Sequence, residues 1–223
     1  MAVKKTKCYG IFKATGKFAT VNLVPGEKVY GEELVKKENV EYRIWDFWRS
    51  KPAAAIKLGL KVFPLEKNMS ILYLGVANGT TSSHFSDIIG KEGIIYGVEI
   101  SPRPFRELLP LVEKRGNIIA ILANARMPEE YEDKILGKVD IVYEDVASND
   151  QAEILIRNCE KFLKPKGFAI IAIKSQSIDV TLPPKEVYKR CLQELEKHFE
   201  VLDKVELDPY EKFHLFVVMK SKK

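Results

Sequence analysis

The apolar run AIIAIK ends in a lysine, Lys174, and the run VDIVYED ends in an aspartate, Asp145. A cation and a carboxylate at the tips of apolar strands are expensive to desolvate, and a lysine facing a carboxylate there is a functional-site candidate. The same two residues also read as a structural ion pair. Upstream, ILYLGVANGTTSSHFSD (Ile71–Asp87) carries an apolar strand into a turn with Gly75, Ala77, Asn78 and Gly79, then into the hydroxyls of Thr80 and Thr81. The next apolar run ends in Glu99 and Ile100, and a third in Asn124 and Ala125. Backbone amides in a turn, followed by an acid at the next strand tip, suit a nucleoside: the amides meet the ligand and the carboxylate grips a ribose diol. A plain strand-to-helix turn also favours glycine, and Glu99 equally suits the start of a helix at Ser101-Pro102.

The turn lacks both G-x-G-x-x-G and the phosphate-cradling G-x-x-x-x-G-K-[ST]. A nucleoside without a pyrophosphate therefore fits it better, and S-adenosylmethionine is the ligand expected. His84 reads as a packing or capping histidine and His198 as a helix-end cation, while pattern alone does not fix the surroundings of His214. Tyr9, Phe12, Phe18 and Tyr30, among lysines, read as strand aromatics rather than a base-stacking surface.

These residues need a scaffold that brings strand tips together. Apolar runs of strand length occur at Ser70–Leu74, Ile94–Ile100, Ile118–Leu122, Val139–Asp145 and Phe168–Lys174. Helical patterns fall between and around them, at Thr81–Ile89, Pro104–Lys114, Pro128–Leu136 and Asp150–Leu163, with Pro110 expected to bend or interrupt the second. Alternating strands and helices imply an α/β fold with a parallel sheet covered on both faces. A helix at Pro184–Phe199 precedes Val201–Leu207 and His214–Met219, whose short connection requires an antiparallel pair. The first fifty residues have a different texture. Short β-prone runs at Tyr9–Lys13, Phe18–Leu23, Val29–Tyr30 and Val40–Ile44 predict a small antiparallel domain over 1–50, ahead of the main domain over 51–223. Ser50 and Pro52 are placed to start a helix through Ala53–Leu60.

The 223 residues are 46% hydrophobic, enough for a real core, and 36 Lys and Arg oppose 31 Asp and Glu. The resulting net charge of +5 suits a polyanionic partner and a merely lysine-rich surface equally well. Cys8, Cys159 and Cys191 form no CxxC pair, which with only three histidines speaks against a zinc site or a disulfide framework. No apolar run approaches membrane-spanning length, and the start MAVKK lacks a signal-peptide core, so a cytoplasmic location is expected.

The ordered set NLVPGEKVYGE, EYRIWDFWRSKPAAAI, LGVANGTTSSHFSD, YGVEISPR, DVASNDQA, IKSQSIDVT and LDPYEKFH resembles the fibrillarin family over nearly the whole chain. No Gly/Arg-rich tail of the eukaryotic kind precedes it, so the shorter archaeal form is expected. The resemblance implies a seven-stranded class I methyltransferase sheet behind a small N-terminal β domain. It implies S-adenosylmethionine held by Gly75, Ala77, Thr80, Thr81, Glu99, Ile100, Asn124, Ala125 and Asp145–Ser148 (Asp145, Val146, Ala147, Ser148). It also implies a catalytic set of Lys51, Asp145, Lys174 and His214 for methylation of ribose 2′-hydroxyls in pre-rRNA, with tRNA as a further substrate class. Implied partners are a box C/D guide RNA, a Nop-domain scaffold protein and a kink-turn-binding ribosomal-like protein. A noncatalytic scaffold and a protein-glutamine methyltransferase are the competing functions. Three positions depart from the family's usual pattern: Asn124 stands for an aspartate, Pro52 for a leucine and Phe213 for an acidic residue.

Overall fold

A computed structural model describes residues 3–223. The chain begins with five short strands, β1 (Val3–Lys5), β2 (Ile11–Ala14), β3 (Lys17–Val21), β4 (Leu34–Lys37) and β5 (Val40–Ile44). They form an antiparallel sheet in the order β1-β2-β3-β5-β4. Val29–Tyr30 is not a strand as predicted. Its backbone amides instead turn inward to the Glu32 carboxylate, Val29 N donating at 3.0 Å and Tyr30 N at 2.9 Å. The strand that fills its place is β4, whose paired lysines disguised it as surface.

Helix α1 (Lys51–Lys57) then leads into β6 (Ser70–Leu74), α2 (Thr80–Ile89), β7 (Ile94–Glu99), α3 (Pro102–Arg115) and β8 (Ile118–Leu122). After them come β9 (Val139–Glu144), α4 (Gln151–Phe162), β10 (Leu163–Lys174), α5 (Ser175–Ile178), α6 (Pro184–Leu195), β11 (Phe199–Glu206) and β12 (His214–Ser221). The second sheet has seven strands in the order β11-β12-β10-β9-β6-β7-β8. The stretch β10 to β8 is parallel, and β12 runs antiparallel to both β10 and β11. This is the expected seven-stranded architecture.

Two expectations are corrected. The segment Pro128–Leu136 forms a 3-10 helix over Pro128–Lys134, broken at Tyr131 (φ −134°), whose buried hydroxyl bonds Asn158 at 2.5 Å. Helix α3 runs uninterrupted through Pro110, which lies on the exposed face where water can serve the carbonyl it leaves unpaired.

Successive residues of β6 feed two different cores. Leu72 and Leu74 pack with α4, α6 and the 3-10 helix on one face, while Ile71 and Tyr73 pack with α1, α2, α3 and Trp45 on the other. Strand alternation thus covers both faces of the sheet. No helix of the described residues is long and apolar enough to cross a membrane.

Candidate active site

Strand order reverses at β6, which lies between β7 and β9, so a crevice opens beyond its carboxyl end. A cleft of about 320 Å³ lies there. Its lining includes Gly75, Ala77, Glu99, Ile100, Asn124 and Ala125, together with Asp145, Val146, Ala147, Ser148 and Lys174. Of the residues predicted to contact a cofactor, Thr80 and Thr81 do not line it. Thr81 is buried and shares a hydrogen bond with the Ser50 hydroxyl at 2.9 Å. That bond ties the turn to the residue just before Lys51.

The two turn glycines also answer packing constraints of their own. Both hold a left-handed backbone, φ +78° at Gly75 and +91° at Gly79. A Cβ on Gly75 would stand 3.1 Å from the Asp145–Val146 peptide, and one on Gly79 would meet Leu111 at 2.4 Å and Leu108 at 2.7 Å. The first lets β6 lie against β9; the second lets the turn settle on α3.

Glu99 is buried, and each carboxylate oxygen accepts one backbone amide: Ala77 N on Oε2 at 2.9 Å and Ser101 N on Oε1 at 2.8 Å. Each oxygen retains acceptor capacity, which suits a vicinal diol. Beside it Ile100 is 59% exposed, an apolar side chain left uncovered on the cleft wall. The Asn124 Oδ1 is already engaged, accepting Arg126 N at 3.1 Å. A carboxylate at the bottom, an apolar wall and a polar rim fit an adenosine-type group.

Across the cleft Asp145 joins two ammonium groups. Lys174 Nζ lies 2.8 Å from Asp145 Oδ1 and donates to its backbone carbonyl at 2.7 Å, and Lys51 Nζ lies 3.1 Å from Oδ1. Burial pushes the Asp145 carboxyl up, but the Lys51 and Lys174 charges outweigh it and hold the pKa below the usual carboxylate range. His214 is paired in register with Lys174 across β10 and β12 and bonds the Lys212 carbonyl through Nδ1 at 2.7 Å. Burial lowers its pKa, with Lys51 and Lys174 pushing the same way. The neutral imidazole is thereby favoured, although the Lys212 carbonyl pulls the other way. The structure thus gathers Lys51, Asp145, Lys174 and His214 in one cluster. Pro52 is accommodated in the first turn of α1, where an amide would have had no helical partner.

Sequence reading missed Gln151. Its buried carboxamide accepts Lys174 N at 2.8 Å and donates to the Val146 and Ala172 carbonyls at 3.0 and 3.1 Å. It fixes the backbone of both charged strand tips, and nothing in a lone glutamine at a helix start announces that. Arg126 was also missed; its guanidinium bonds Asp150 at 2.8 Å and steadies the Ser148 loop on the cleft rim.

The seven-stranded sheet, with this cleft at its switch point, is the fold of class I methyltransferases. The fibrillarin family profile matches residues 2–223. A fibrillarin-like rRNA/tRNA 2′-O-methyltransferase of Pyrococcus furiosus is 54% identical, over 98% of this chain and 98% of that protein. Among solved structures, Aeropyrum pernix fibrillarin in complex with natively bound S-adenosyl-L-methionine superposes with a TM-score of 0.90 at 44% identity, covering 98% of both chains. A fibrillarin/Nop5p complex matches with a TM-score of 0.88 at 41% identity, over 96% of this chain and 98% of the other. The chain belongs to the fibrillarin family.

Proposed function

We infer that this chain transfers the methyl group of S-adenosylmethionine to ribose 2′-hydroxyls of ribosomal RNA, with transfer RNA as a second substrate class. The observation that carries the reading is Asp145 holding both Lys51 and Lys174 at the mouth of a cleft that contains Glu99. When bound, S-adenosylmethionine supplies a methyl group already activated on a sulfonium, so the residues here need only place and deprotonate a weak nucleophile. Glu99 would hold the ribose diol of the cofactor, and Ile100, Ala125 and Val146 would line the site of its adenosine. Two lysines against one aspartate leave the cluster one positive charge. That field would favour the alkoxide form of the target hydroxyl, its proton passing to solvent; the bound cofactor would supply the methyl group, its carbon–sulfur bond breaking as the oxygen–carbon bond forms and a neutral thioether leaving. Lys174 is the group assigned to the hydroxyl, Asp145 orients it, and Lys51 with His214 positions the ribose and its phosphate.

The similarity to the Nop5p-bound fibrillarin supports a Nop-domain scaffold as a partner of this chain. In the fuller reading a box C/D guide RNA and a kink-turn-binding ribosomal-like protein complete a cytoplasmic particle, and base pairing selects the nucleotide.

The test is transfer of labelled methyl groups to RNA, with and without guide RNA and scaffold, compared with Lys174→Ala. Alkali-resistant label that depends on the guide, and falls at least about 100-fold in the variant while cofactor binding persists, is the expected result. Transfer at the wild-type rate by Lys174→Ala overturns the assignment.

A further inference from the structure

A groove of about 640 Å³ runs between the N-terminal sheet and α1. Lys4, Lys5, Lys7, Lys13, Lys17 and Lys57 line it, and among the described residues no Asp or Glu does. Only Lys17 has an acidic partner nearby, Glu33 at 3.0 Å. The net charge of the whole chain is +5, so this one face concentrates a positive charge that the overall balance hides.

The groove also has an aromatic exit. Phe47 lines it, lies 5.6 Å from the Lys57 ammonium and packs on Tyr210 with ring centroids 4.9 Å apart. Tyr210 in turn meets Trp48 at 4.8 Å. Trp48 is 59% exposed and precedes Lys51 by three residues; Phe213, 51% exposed, immediately precedes His214. Large exposed aromatics are unusual on a folded surface, and these flank both ends of the lysine–aspartate–histidine cluster in sequence. Lysines along a groove with aromatics at its end are the elements of a sequence-tolerant single-strand track.

We propose that this groove binds single-stranded RNA beyond the guide-paired stretch that holds the target nucleotide, the lysines taking successive phosphates and Trp48 stacking on a base. The proposal rests on the RNA-methylation reading for its substrate and adds to it a second contact surface outside the cofactor cleft. Six lysines call for an anionic occupant, and the exposed aromatics at the exit favour RNA over an acidic protein surface because bases stack on them.

The test uses the full chain and a fluorescein-labelled oligouridylate. The variant Lys5→Ala/Lys7→Ala/Lys13→Ala is expected to bind about tenfold or more weakly at moderate salt. The slope of log affinity against log salt should fall by about 2, from roughly 0.7 per lost phosphate contact. Trp45 is 1% exposed and stacked on His84, so quenching of tryptophan fluorescence by the RNA reports Trp48 and should vanish in Trp48→Leu. Cofactor affinity, measured by calorimetry, should be unchanged in both variants. Wild-type RNA affinity and salt slope in the triple variant overturn the track. So does loss of scaffold association with RNA binding intact, which makes the groove a protein-docking face. RNA binding that depends on these residues, in a protein that transfers no methyl even with scaffold and guide, upholds the track and defeats the enzymatic reading instead.

Discussion

At the scale of single residues, Asn124 shows how a conservative-looking change alters a site. An adenine amino group is a donor and needs an acceptor. A carboxylate at this position offers two oxygens, one for the Arg126 amide and one for the ligand. Asn124 has one oxygen, and the Arg126 amide at 3.1 Å fixes which way the carboxamide faces. That oxygen keeps a second lone pair, but it is shared with the Arg126 amide and uncharged, and so is a weaker acceptor for an adenine amino group than a carboxylate would be. Asn124→Asp is therefore expected to bind S-adenosylmethionine about tenfold more tightly by calorimetry, roughly the 1–1.5 kcal/mol of one good hydrogen bond. Equal or weaker binding shows that the adenine amino group is satisfied elsewhere. The sequence marks Asn124 as unusual through the family pattern, but only the fold shows that its acceptor is shared with the Arg126 amide. Lys174 and Asp145 were legible for a simpler reason: a charge ending an apolar run is conspicuous in a one-dimensional reading, and both charges stand at the tips of adjacent parallel strands. Gln151 was not legible, because its role depends on three backbone groups that meet only in the folded chain.

At the scale of elements, the central strands were readable because burial on both faces makes each a continuous apolar word. The N-terminal strands were less so. Short strands in a small sheet carry polar and charged residues on one face, and Leu34–Lys37 reads as surface while Val29–Tyr30 reads as strand. The 3-10 segment at Pro128–Lys134 was misread because its helical spacing hides the break at Tyr131. The glycine turn was legible in the sequence, but its packing role was not. Gly79 is needed for packing: its missing side chain accommodates Leu108 and Leu111 of α3. Gly79→Ala adds a methyl group into that contact and forces an L side chain to φ +91°. The combined cost is about 3 kcal/mol or more, lowering the melting temperature by roughly 6–12 °C for a chain of this size. Thermal unfolding followed by circular dichroism checks it. Because Leu111 is the closer obstacle, Gly79→Ala made in a Leu111→Ala background and compared with Leu111→Ala alone should recover less than the whole loss, as the backbone strain persists. Full recovery would assign the cost to the clash alone.

At the scale of the whole molecule, the N-terminal sheet is fastened to α2 by a buried ionic cluster. Arg43 of β5 bonds Glu32 at 2.6 Å and Asp87 of α2 at 3.1 Å, and Arg115 at the end of α3 reaches the other Asp87 oxygen at 2.8 Å. Two arginines against two carboxylates balance, so the histidine inside the cluster has no net charge to answer. His84 is stacked on Trp45 and lies 2.8 Å from both the Thr20 and the Tyr30 hydroxyls. Burial drives its pKa well below the ordinary value, and Arg43 and Arg115 push it further. Above about pH 6.5 neither the folded nor the unfolded chain carries the proton, and His84 adds no pH dependence. As pH falls below that, the unfolded chain takes up a proton that the folded one refuses, and stability declines by up to about 1.4 kcal/mol per pH unit. Glu144 opposes this trend: burial raises its pKa well above the ordinary value, so its contribution to stability improves as pH falls toward the carboxylate range. His214, lowered like His84, adds to the decline. Comparing the protein with His84→Asn cancels both, since each is common to the pair. Urea unfolding between about pH 5 and pH 7 should give a stability difference that shifts steadily in favour of the variant as pH falls, at up to one proton's slope. A difference independent of pH would mean that the imidazole titrates alike in the folded and unfolded chains, and one that shifts in favour of the parent as pH falls would mean that His84 is protonated in the fold, with Asp87 Oδ2 at 3.9 Å as its counter-ion. The clamp between the N-terminal sheet and α2 would then carry a positive charge, and its stability would be lost as pH rises rather than as it falls.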